Sequence, residues 1–267
     1  MNKKERLDVL LVEKGLYDSR EKAKRAIMAG IVFVDGQKID KAGTAISKCA
    51  KIFLKANDCP YVGRGGLKLD KAIDYFKIKL KGSIAMDIGA STGGFTDCIL
   101  QKGAEKVYAL DVGYGQLDWK LRNDPRVINL EKTNIRYVST ENIKDVMDFI
   151  SIDVSFISLT LVLPVTIKLL KENGVIICLV KPQFEAGRQQ VGKNGIVKDK
   201  KIHMEVLERI TSFSKELGFS VRGLTYSPVK GAKGNIEYLL YLEKSKMTEN
   251  SFNIKETVEC AHMRLNH

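Results

Sequence analysis

Three charged residues stand where the sequence is otherwise apolar. Asp153 ends the run 149–153, Lys181 ends the run 175–181, and Glu237 opens the run 236–241. Removing a charge from water is costly unless the charge is paired or used. A lysine in its neutral form can take a proton from a hydroxyl. These residues are therefore candidates for general-base chemistry.

A glycine-rich turn follows another apolar run, which ends at Asp87. The turn reads Gly89-Ala-Ser-Thr-Gly-Gly94, and Asp111 ends the next apolar run, about 20 residues after Gly89. An acid at this distance is placed to bind ribose hydroxyls. The spacing is not that of G-x-G-x-x-G, so S-adenosylmethionine, which has adenosine but no phosphates, fits better than a dinucleotide. The alternative is a tight strand-to-helix turn with packing value only.

A lysine among acids beside a methyl donor suggests a base that takes the proton of a hydroxyl. Neighbouring acids favour the charged form of Lys181, so a second cation is needed to oppose them, and Lys68 is a candidate. The structural alternative is an ion pair between Asp153 and Lys181 that holds two strands in register. The residues alone leave both interpretations open.

Strand-like runs alternate with helical patterns from residue 80 onward. The runs are 84–89, 107–112, 127–130, 149–154, 175–181, 219–225 and 236–242. This alternation predicts an α/β fold with a parallel, doubly wound, Rossmann-like sheet, whose ligands lie beyond the carboxyl ends of the strands. Asp153 and Lys181 are then expected at the same edge as the glycine turn.

A small basic module precedes this sheet. Asp18-Ser-Arg-Glu21 predicts a helix start and Gly30 its end, and Asp35-Gly36 between two β-rich runs predicts a hairpin. The helix carries four basic residues that cannot all face a core: Arg20, Lys22, Lys24 and Arg25. They are available to contact phosphates, or else form a solvated face.

The pattern Arg6-Leu-Asp-Val-Leu-Leu, Ser19-Arg-Glu-Lys-Ala23 and Val32-Phe-Val-Asp-Gly36 resembles the S4 RNA-binding domain. The resemblance implies a small N-terminal α+β domain on structured ribosomal RNA. The RNA-binding residues that it indicates are Arg6, Arg20, Lys22, Lys24 and Arg25, with Arg64 beyond the domain as a further candidate.

Four motifs resemble the Lys-Asp-Lys-Glu tetrad of FtsJ-type ribose 2′-O-methyltransferases. They are Gly65-Gly-Leu-Lys68, Ile152-Asp153-Val-Ser-Phe, Leu179-Val-Lys181-Pro-Gln-Phe-Glu and Gly234-Asn-Ile-Glu237-Tyr. Lys71 is a nearby alternative to Lys68. Together with the S4-like start, Asp111-Val-Gly-Tyr-Gly-Gln-Leu and Glu131-Lys-Thr-Asn, residues 5–243 are similar to the TlyA family. That family methylates cytidine riboses in ribosomal RNA, and some members carry the label haemolysin.

The resemblance also implies roles for these residues. Lys181 is the base, Asp153 orients it, Lys68 and Glu237 position the target and balance charge, and no metal is required. The contacts to S-adenosylmethionine are expected from Asp87, Gly89, Ala90, Ser91, Thr92, Gly93, Gly94, Phe95, Asp111 and Asn134. The expected substrate is cytidine in 16S ribosomal RNA, 23S ribosomal RNA or both.

Composition favours a polyanionic partner. The chain has 44 Lys and Arg against 32 Asp and Glu, a net charge of +12, which favours nucleic acid over a membrane surface. Its five cysteines lack metal-ligand spacing, and no apolar run or signal-peptide core indicates a membrane or export. We expect a cytoplasmic monomer or weak dimer that acts on ribosomal RNA or ribosomal subunits. The alternatives are a non-catalytic ribosome-assembly protein and, less favoured, a membrane-lytic haemolysin.

One competing motif is rejected. The segment 187–194 is one residue from a P-loop, but Asn194 replaces the Ser or Thr that binds magnesium. A basic loop that folds over RNA is the better interpretation. The predicted domains are 1–59, S4-like; 60–63, linker; 64–245, methyltransferase; and 246–267, a tail with a short helix over 251–265.

Overall fold

The computed structural model describes residues 4–28, 30–54, 59–139, 143–245 and 251–265. The chain divides into two compact units, Met1–Pro60 and Tyr61–His267. Among the described residues, no helix combines the length and the apolar character that crossing a bilayer requires.

The N-terminal unit is a small α+β fold. In chain order its elements are β1 (Lys4–Arg6), α1 (Leu7–Glu13), α2 (Arg20–Met28), β2 (Val32–Val34), β3 (Gln37–Lys38), β4 (Ala45–Ser47) and β5 (Ile52–Leu54). Strands β1 and β4 pair with each other, and β3, β2 and β5 form an antiparallel sheet. Asp35 and Gly36 both have positive φ angles, 48° and 83°. The predicted two-residue hairpin is therefore confirmed.

Helix α2 begins one residue later than the predicted cap implies. Ser19 Oγ accepts a hydrogen bond from the backbone N–H of Lys22 at 3.3 Å, as an N-cap side chain does. Asp18 instead accepts from Lys22 Nζ at 2.6 Å. The prediction of Asp18 as the cap is wrong, because Ser19 is the last residue before the helical backbone.

A buried carboxylate organises the basic residues of this unit. Asp8, on α1, is fully buried and accepts hydrogen bonds from Arg6 Nε at 3.0 Å and from Arg20 Nη2 at 3.0 Å. These bonds, that from Arg6 above all, lower the pKa of Asp8 to about 2. Both arginine side chains remain about half exposed. Each guanidinium is thus held in place while part of it faces solvent.

The second unit is a seven-stranded sheet with helices. Its elements are α3 (Gly65–Phe76), β6 (Ile84–Ile88), α4 (Gly94–Gln101), β7 (Lys106–Leu110), α5 (Trp119–Arg122), β8 (Val127–Leu130), β9 (Met147–Ile152), α6 (Leu163–Leu169), β10 (Leu170–Val180), α7 (Pro182–Glu185), α8 (Lys200–Glu216), β11 (Ser220–Tyr226), β12 (Tyr238–Glu243) and α9 (Ile254–Leu265). The strand order is β11-β12-β10-β9-β6-β7-β8. The α/β prediction is confirmed.

Strand β12 departs from the predicted parallel sheet, because it runs antiparallel to both neighbours. Its first residue, Tyr238, pairs with Val180, the last residue of β10. Glu237 and Lys181 therefore stand next to each other at one edge of the sheet. A strand that ran parallel would have placed Glu237 at the opposite edge.

The core consists of apolar side chains from the sheet and its helices. Leu207 and Ile210 of α8 and Val258 and Ala261 of α9 are buried in the same cluster as the strand residues. Helix α9 lies within the segment where the sequence indicates a short helix. The C-terminal segment is thus part of the packed unit where it is described.

Asp87 lies inside this unit, and its carboxylate is fully buried in β6. Its oxygens accept hydrogen bonds from Thr96 Oγ1 at 2.7 Å and from Ser151 Oγ at 2.9 Å. Because its side chain faces α4 and β9, the expected contact of Asp87 with the cofactor would be made by its backbone and remains a prediction. Burial raises its pKa to about 7.

The raised pKa of Asp87 predicts how stability varies with pH. A carboxyl whose pKa is higher in the folded than in the unfolded protein stabilises the fold while protonated, below pH about 4, and that contribution is lost as the pH rises through about 7. In the wild type, this titration should lower the free energy of unfolding by at most about 4 kcal/mol as the pH rises over this range. Asp87→Asn should abolish that decrease. Urea denaturation followed by circular dichroism at several pH values measures it.

The matched control is Asp145→Asn, since Asp145 lies nearer the surface and pairs with Lys106. This control should keep the wild-type pH slope. Equal slopes in wild type and Asp87→Asn would show that Asp87 does not titrate in this range.

Candidate active site

Two glycines shape the turn after β6. Gly89 has a φ of +87°, and a Cβ there would lie 2.3 Å from the backbone oxygen of Asp153. Gly93 has a φ of +94°, and its Cβ would lie 2.2 Å from Leu121 Cδ1. Other residues are strained at such angles and would collide with these neighbours. The turn therefore packs directly against the segment that follows β9.

Asp111 connects two loops at this edge. Its Oδ2 accepts from the backbone N–H of Ser91 at 2.8 Å, and its Oδ1 accepts from that of Gly113 at 2.7 Å. A carboxylate has further lone pairs, so Asp111 is fixed in orientation and can still bind ribose hydroxyls. Because it also lines a cavity, its setting fits an adenosine-containing cofactor.

Two clefts meet at the turn. The larger has a volume of about 710 Å³ and is walled by residues that follow β6, β7, β8 and β9, with Asp111 and Asn134 among them. The smaller, of about 230 Å³, is bordered by Arg64, Lys68 and Lys230. Gly89, Ser91 and Asp153 line both clefts. A donor in the larger cleft and an acceptor in the smaller one would face each other at Asp153.

The residues expected to bind the cofactor divide into three groups. Gly89, Ser91, Asp111 and Asn134 line the larger cleft. Ala90, Thr92, Gly94 and Phe95 line the smaller one. Gly93 packs against Leu117 and Leu121, so it contributes the backbone conformation of the turn. The side chain of Asp87 is buried.

Lys181 meets Asp153 at the carboxyl edge of the sheet. Its Nζ lies 2.5 Å from Asp153 Oδ1 and donates a hydrogen bond to Ser155 Oγ at 3.1 Å. The close contact with Asp153 is an ion pair. Lys181 is almost fully buried, so the pair holds one ammonium position beside both clefts.

A second pair lies at the same edge. Lys68 Nζ, from α3, donates to Glu237 Oε2 at 2.7 Å, and both side chains are buried. Gln183 Nε2 donates to Glu237 Oε1 at 3.1 Å. Both oxygens of this buried carboxylate thus have donors, which offsets its loss of water.

The alternative lysine, Lys71, faces elsewhere. Its Nζ donates to the backbone oxygen of Tyr226 at 2.6 Å and lies 3.5 Å from the centre of the Tyr226 ring. Burial lowers its pKa to about 8. The structure places Lys68, and not Lys71, beside Glu237.

The sequence interpretation missed three polar residues near the tetrad, Ser155, Gln183 and Glu185. Glu185 is nearly buried and accepts from Ser158 Oγ at 2.7 Å and from the backbone N–H of Leu159 at 2.8 Å. Burial raises its pKa. Ser155 and Gln183 each stand two residues after a tetrad residue, and this proximity was the available signal.

Phe156 was also missed. It has a φ of +64°, a backbone conformation that is strained for a bulky residue. Its side chain is exposed and packs against Phe184, with ring centres 4.8 Å apart. The signal would have been an aromatic residue between two serines directly after a buried strand.

The residues expected to bind RNA lie in both units. Arg64 borders the smaller cleft, whereas Arg6 and Arg20 are held by Asp8 in the N-terminal unit. On α2, Lys22 pairs with Asp18 and Lys24 with Glu21, with all four side chains partly or largely exposed. Arg25 is exposed on the same helix.

The carboxyl edge of this sheet carries a glycine turn, an acid at a strand end and two lysines that are each paired with a carboxylate. These features define a class, the S-adenosylmethionine-dependent methyltransferases. The family model of FtsJ-like methyltransferases matches residues 61–244, and the S4 domain model matches residues 5–52.

Known proteins agree with this classification. A Bacillus subtilis protein named as an rRNA methyltransferase, YqxC, is 52% identical over 99% of this chain and 96% of its own. The 16S/23S rRNA (cytidine-2′-O)-methyltransferase TlyA of Mycobacterium tuberculosis is 40% identical over 98% of this chain and 97% of its own. A solved structure from Streptococcus thermophilus, described as a hemolysin, is 49% identical, covers 100% of this chain and 98% of its own, and has a TM-score of 0.79. The chain belongs to the TlyA family of FtsJ-like methyltransferases.

The setting of Asp111 predicts a binding defect that can be measured without catalysis. Asp111→Ala removes the acceptor for ribose hydroxyls and the two backbone hydrogen bonds that order the turn. We expect the affinity for S-adenosylmethionine to fall at least about tenfold. Isothermal calorimetry with the full chain measures it, and Asp124→Ala is the control, because Asp124 pairs with Arg126 away from both clefts. Unchanged affinity in Asp111→Ala would remove Asp111 from the cofactor site.

Proposed function

We propose that this protein transfers a methyl group from S-adenosylmethionine to the 2′-hydroxyl of a cytidine in ribosomal RNA. The observation that carries the proposal is the meeting of the two clefts at Asp153, beside the buried Lys181. The name of the Mycobacterium tuberculosis relative, at 40% identity over 98% of this chain, supports the choice of ribosomal RNA and of cytidine. A protein that acts on ribosomal RNA works where ribosomes are, so we place it in the cytoplasm.

Lys181 acts as the base in this proposal. When bound, the donor supplies an electrophilic methyl group on a positively charged sulfur. Lys181 in its neutral form accepts the proton of the 2′-hydroxyl as the ribose oxygen bonds to the methyl carbon and the carbon–sulfur bond breaks, with its electrons left on sulfur. Asp153 stabilises the ammonium that forms, and Ser155 fixes its orientation. The reaction therefore depends on alignment in the site.

Lys68, Glu237 and Gln183 position the acceptor. The Lys68–Glu237 pair borders the smaller cleft, so the ammonium can donate to an oxygen of the target ribose or its phosphate. Gln183 and Lys68 hold the Glu237 carboxylate from two sides, which keeps Lys68 from moving away with the substrate. Arg64 and Lys230 add positive charge along the same cleft, which favours a phosphate backbone.

The N-terminal unit binds ribosomal RNA in this proposal. Arg6 and Arg20 are oriented by Asp8. Each lysine of α2 forms an ion pair with a surface carboxylate, and the phosphates of RNA can compete for these lysines because surface ion pairs are weak. Phosphate contacts of this kind set position without reading sequence.

The non-catalytic alternative is less well supported. A protein that only binds RNA has no need for two buried lysines, each held by a carboxylate, where two clefts meet. Burying such pairs is costly, so their presence at this edge favours catalysis. The lytic alternative has no observation in its favour beyond the names of relatives.

Lys181→Arg tests the base. Arginine keeps the positive charge and can still pair with Asp153, but it does not give up its proton in a protein. We expect single-turnover methylation of ribosomal RNA to fall by about 10² to 10⁴, while the affinity for S-adenosylmethionine stays near that of the wild type.

Lys71→Arg is the matched control, since Lys71 is a partly buried lysine of the same unit that faces Tyr226. It should methylate at about the wild-type rate. A folded Lys181→Arg protein that methylates at the wild-type rate would mean that Lys181 and Asp153 form a structural ion pair only.

The lysines of α2 can be tested by their salt dependence. Each phosphate contact releases counterions, so replacing Lys22 and Lys24 by Ala should reduce the slope of log affinity against log salt by about 2. Filter binding to ribosomal RNA fragments at several salt concentrations measures the slope. The control replaces Lys77 and Lys79, which are exposed after α3. If the α2 variant keeps the wild-type slope, this face is solvated and not bound.

A further inference from the structure

Four aromatic side chains of the second unit are unusually exposed. Trp119 is the chain's one tryptophan and is 75% exposed, and Tyr114, Tyr137 and Phe156 are 72%, 76% and 87% exposed. Large aromatic side chains are normally mostly buried, and exposed apolar groups that cluster mark interaction sites. We call these four residues the aromatic rim.

The topology brings the rim to one edge of the sheet. Tyr114 and Trp119 follow β7, Tyr137 follows β8, and Phe156 follows β9. These strands are parallel neighbours in the sheet or share β6 as a neighbour, so their carboxyl ends lie together. The rim therefore stands at the edge that carries the larger cleft.

Local contacts tie the rim to the cleft itself. The residue before Trp119, Asp118, donates its backbone N–H to the backbone oxygen of Thr92 in the glycine turn at 3.2 Å. Tyr137 directly follows Arg136, which lines the larger cleft, and Phe156 lines it too. An occupant of the rim would thus border the larger cleft, which meets the smaller, acceptor cleft at Asp153.

Cations accompany the aromatic faces. Lys132 Nζ lies 4.4 Å from the centre of the Tyr114 ring, and Arg136 Cζ lies 5.2 Å from the centre of the Tyr137 ring. Exposed rings with adjacent cations suit unpaired nucleotides, whose bases stack on the rings while their phosphates meet the charges. A base-paired helix keeps the faces of its bases covered and cannot bind in this way.

We propose that the aromatic rim binds unpaired nucleotides next to the methylated one, with bases stacked on Trp119 and Tyr137. This inference rests on the proposed function, because it takes the RNA of that reaction as the occupant. It adds that the RNA is single-stranded around the target when it enters the site, and that stacking, not only phosphate binding, selects it.

Trp119 permits a direct test, since all tryptophan fluorescence of the chain comes from this residue. The full chain is titrated with a short single-stranded oligocytidylate and, separately, with the same strand annealed to its complement. We expect saturable quenching by the single strand and none by the duplex. Quenching by both to the same extent would overturn the proposal.

Two variants test the contribution to affinity. Trp119→Leu and Tyr137→Leu keep an apolar side chain and lose the ring, and each should weaken binding of single-stranded RNA about tenfold. The salt slope and the affinity for S-adenosylmethionine should not change, because stacking involves neither phosphates nor the cofactor. Tyr75→Leu is the control, since Tyr75 is 61% exposed on α3, outside the rim, and should bind RNA as the wild type does.

The outcomes separate this inference from the proposed function. If wild type methylates ribosomal RNA and both rim variants do so with unchanged kcat/KM and RNA affinity, the rim proposal is wrong while the function stands. A rim that docks a protein gives this same result. If single strands quench Trp119 and the variants lose affinity, but wild type transfers no methyl group to ribosomal RNA, the function is wrong while the rim binds RNA.

Discussion

The arrangement at the carboxyl edge of this sheet depends on how two buried ammonium groups are paired. Lys181 is held by Asp153 and Ser155, and Lys68 by Glu237. The carboxylates come from segments far away in the sequence, so each pair forms only when the sheet is assembled. Because an ammonium left without its partner in such a place is costly, both pairs have to form where α3, β9, β10 and β12 meet.

The antiparallel strand β12 is what makes this pairing possible. In a sheet whose strands all run the same way, the residue before a strand lies at the amino edge and the residue after it at the carboxyl edge. Glu237 precedes its strand and Lys181 follows its own, and both reach the carboxyl edge because β12 is reversed. The inserted strand thus adds a carboxylate to the side of the sheet where ligands of such folds bind.

Much of this arrangement could be predicted from the sequence, because apolar runs mark buried strands and glycines mark the turn that no other residue can form. The direction of β12 could not, since an apolar run has the same pattern whichever way the strand runs.

Asp87 and Asp111 look alike in the sequence, each at the end of an apolar run. Asp87 falls within its strand and is buried, whereas Asp111 falls one residue after its strand and faces a cleft. A difference of two residues at a strand end is beyond what composition reveals. The choice between Lys68 and Lys71 rested on motif context, because periodicity does not say which residue of a helix meets a distant acid.

The close packing around Gly89 limits which substitutions this position tolerates in evolution. A single added methyl group there would press on the backbone of Asp153, so a change in the glycine turn is passed directly to the ion-pair partner of Lys181. A substitution at Gly89 therefore disturbs both clefts together, since Gly89 lines both of them. A lineage that loses Gly89 can regain the original space at this position only by reversion to glycine, because every other residue carries a Cβ.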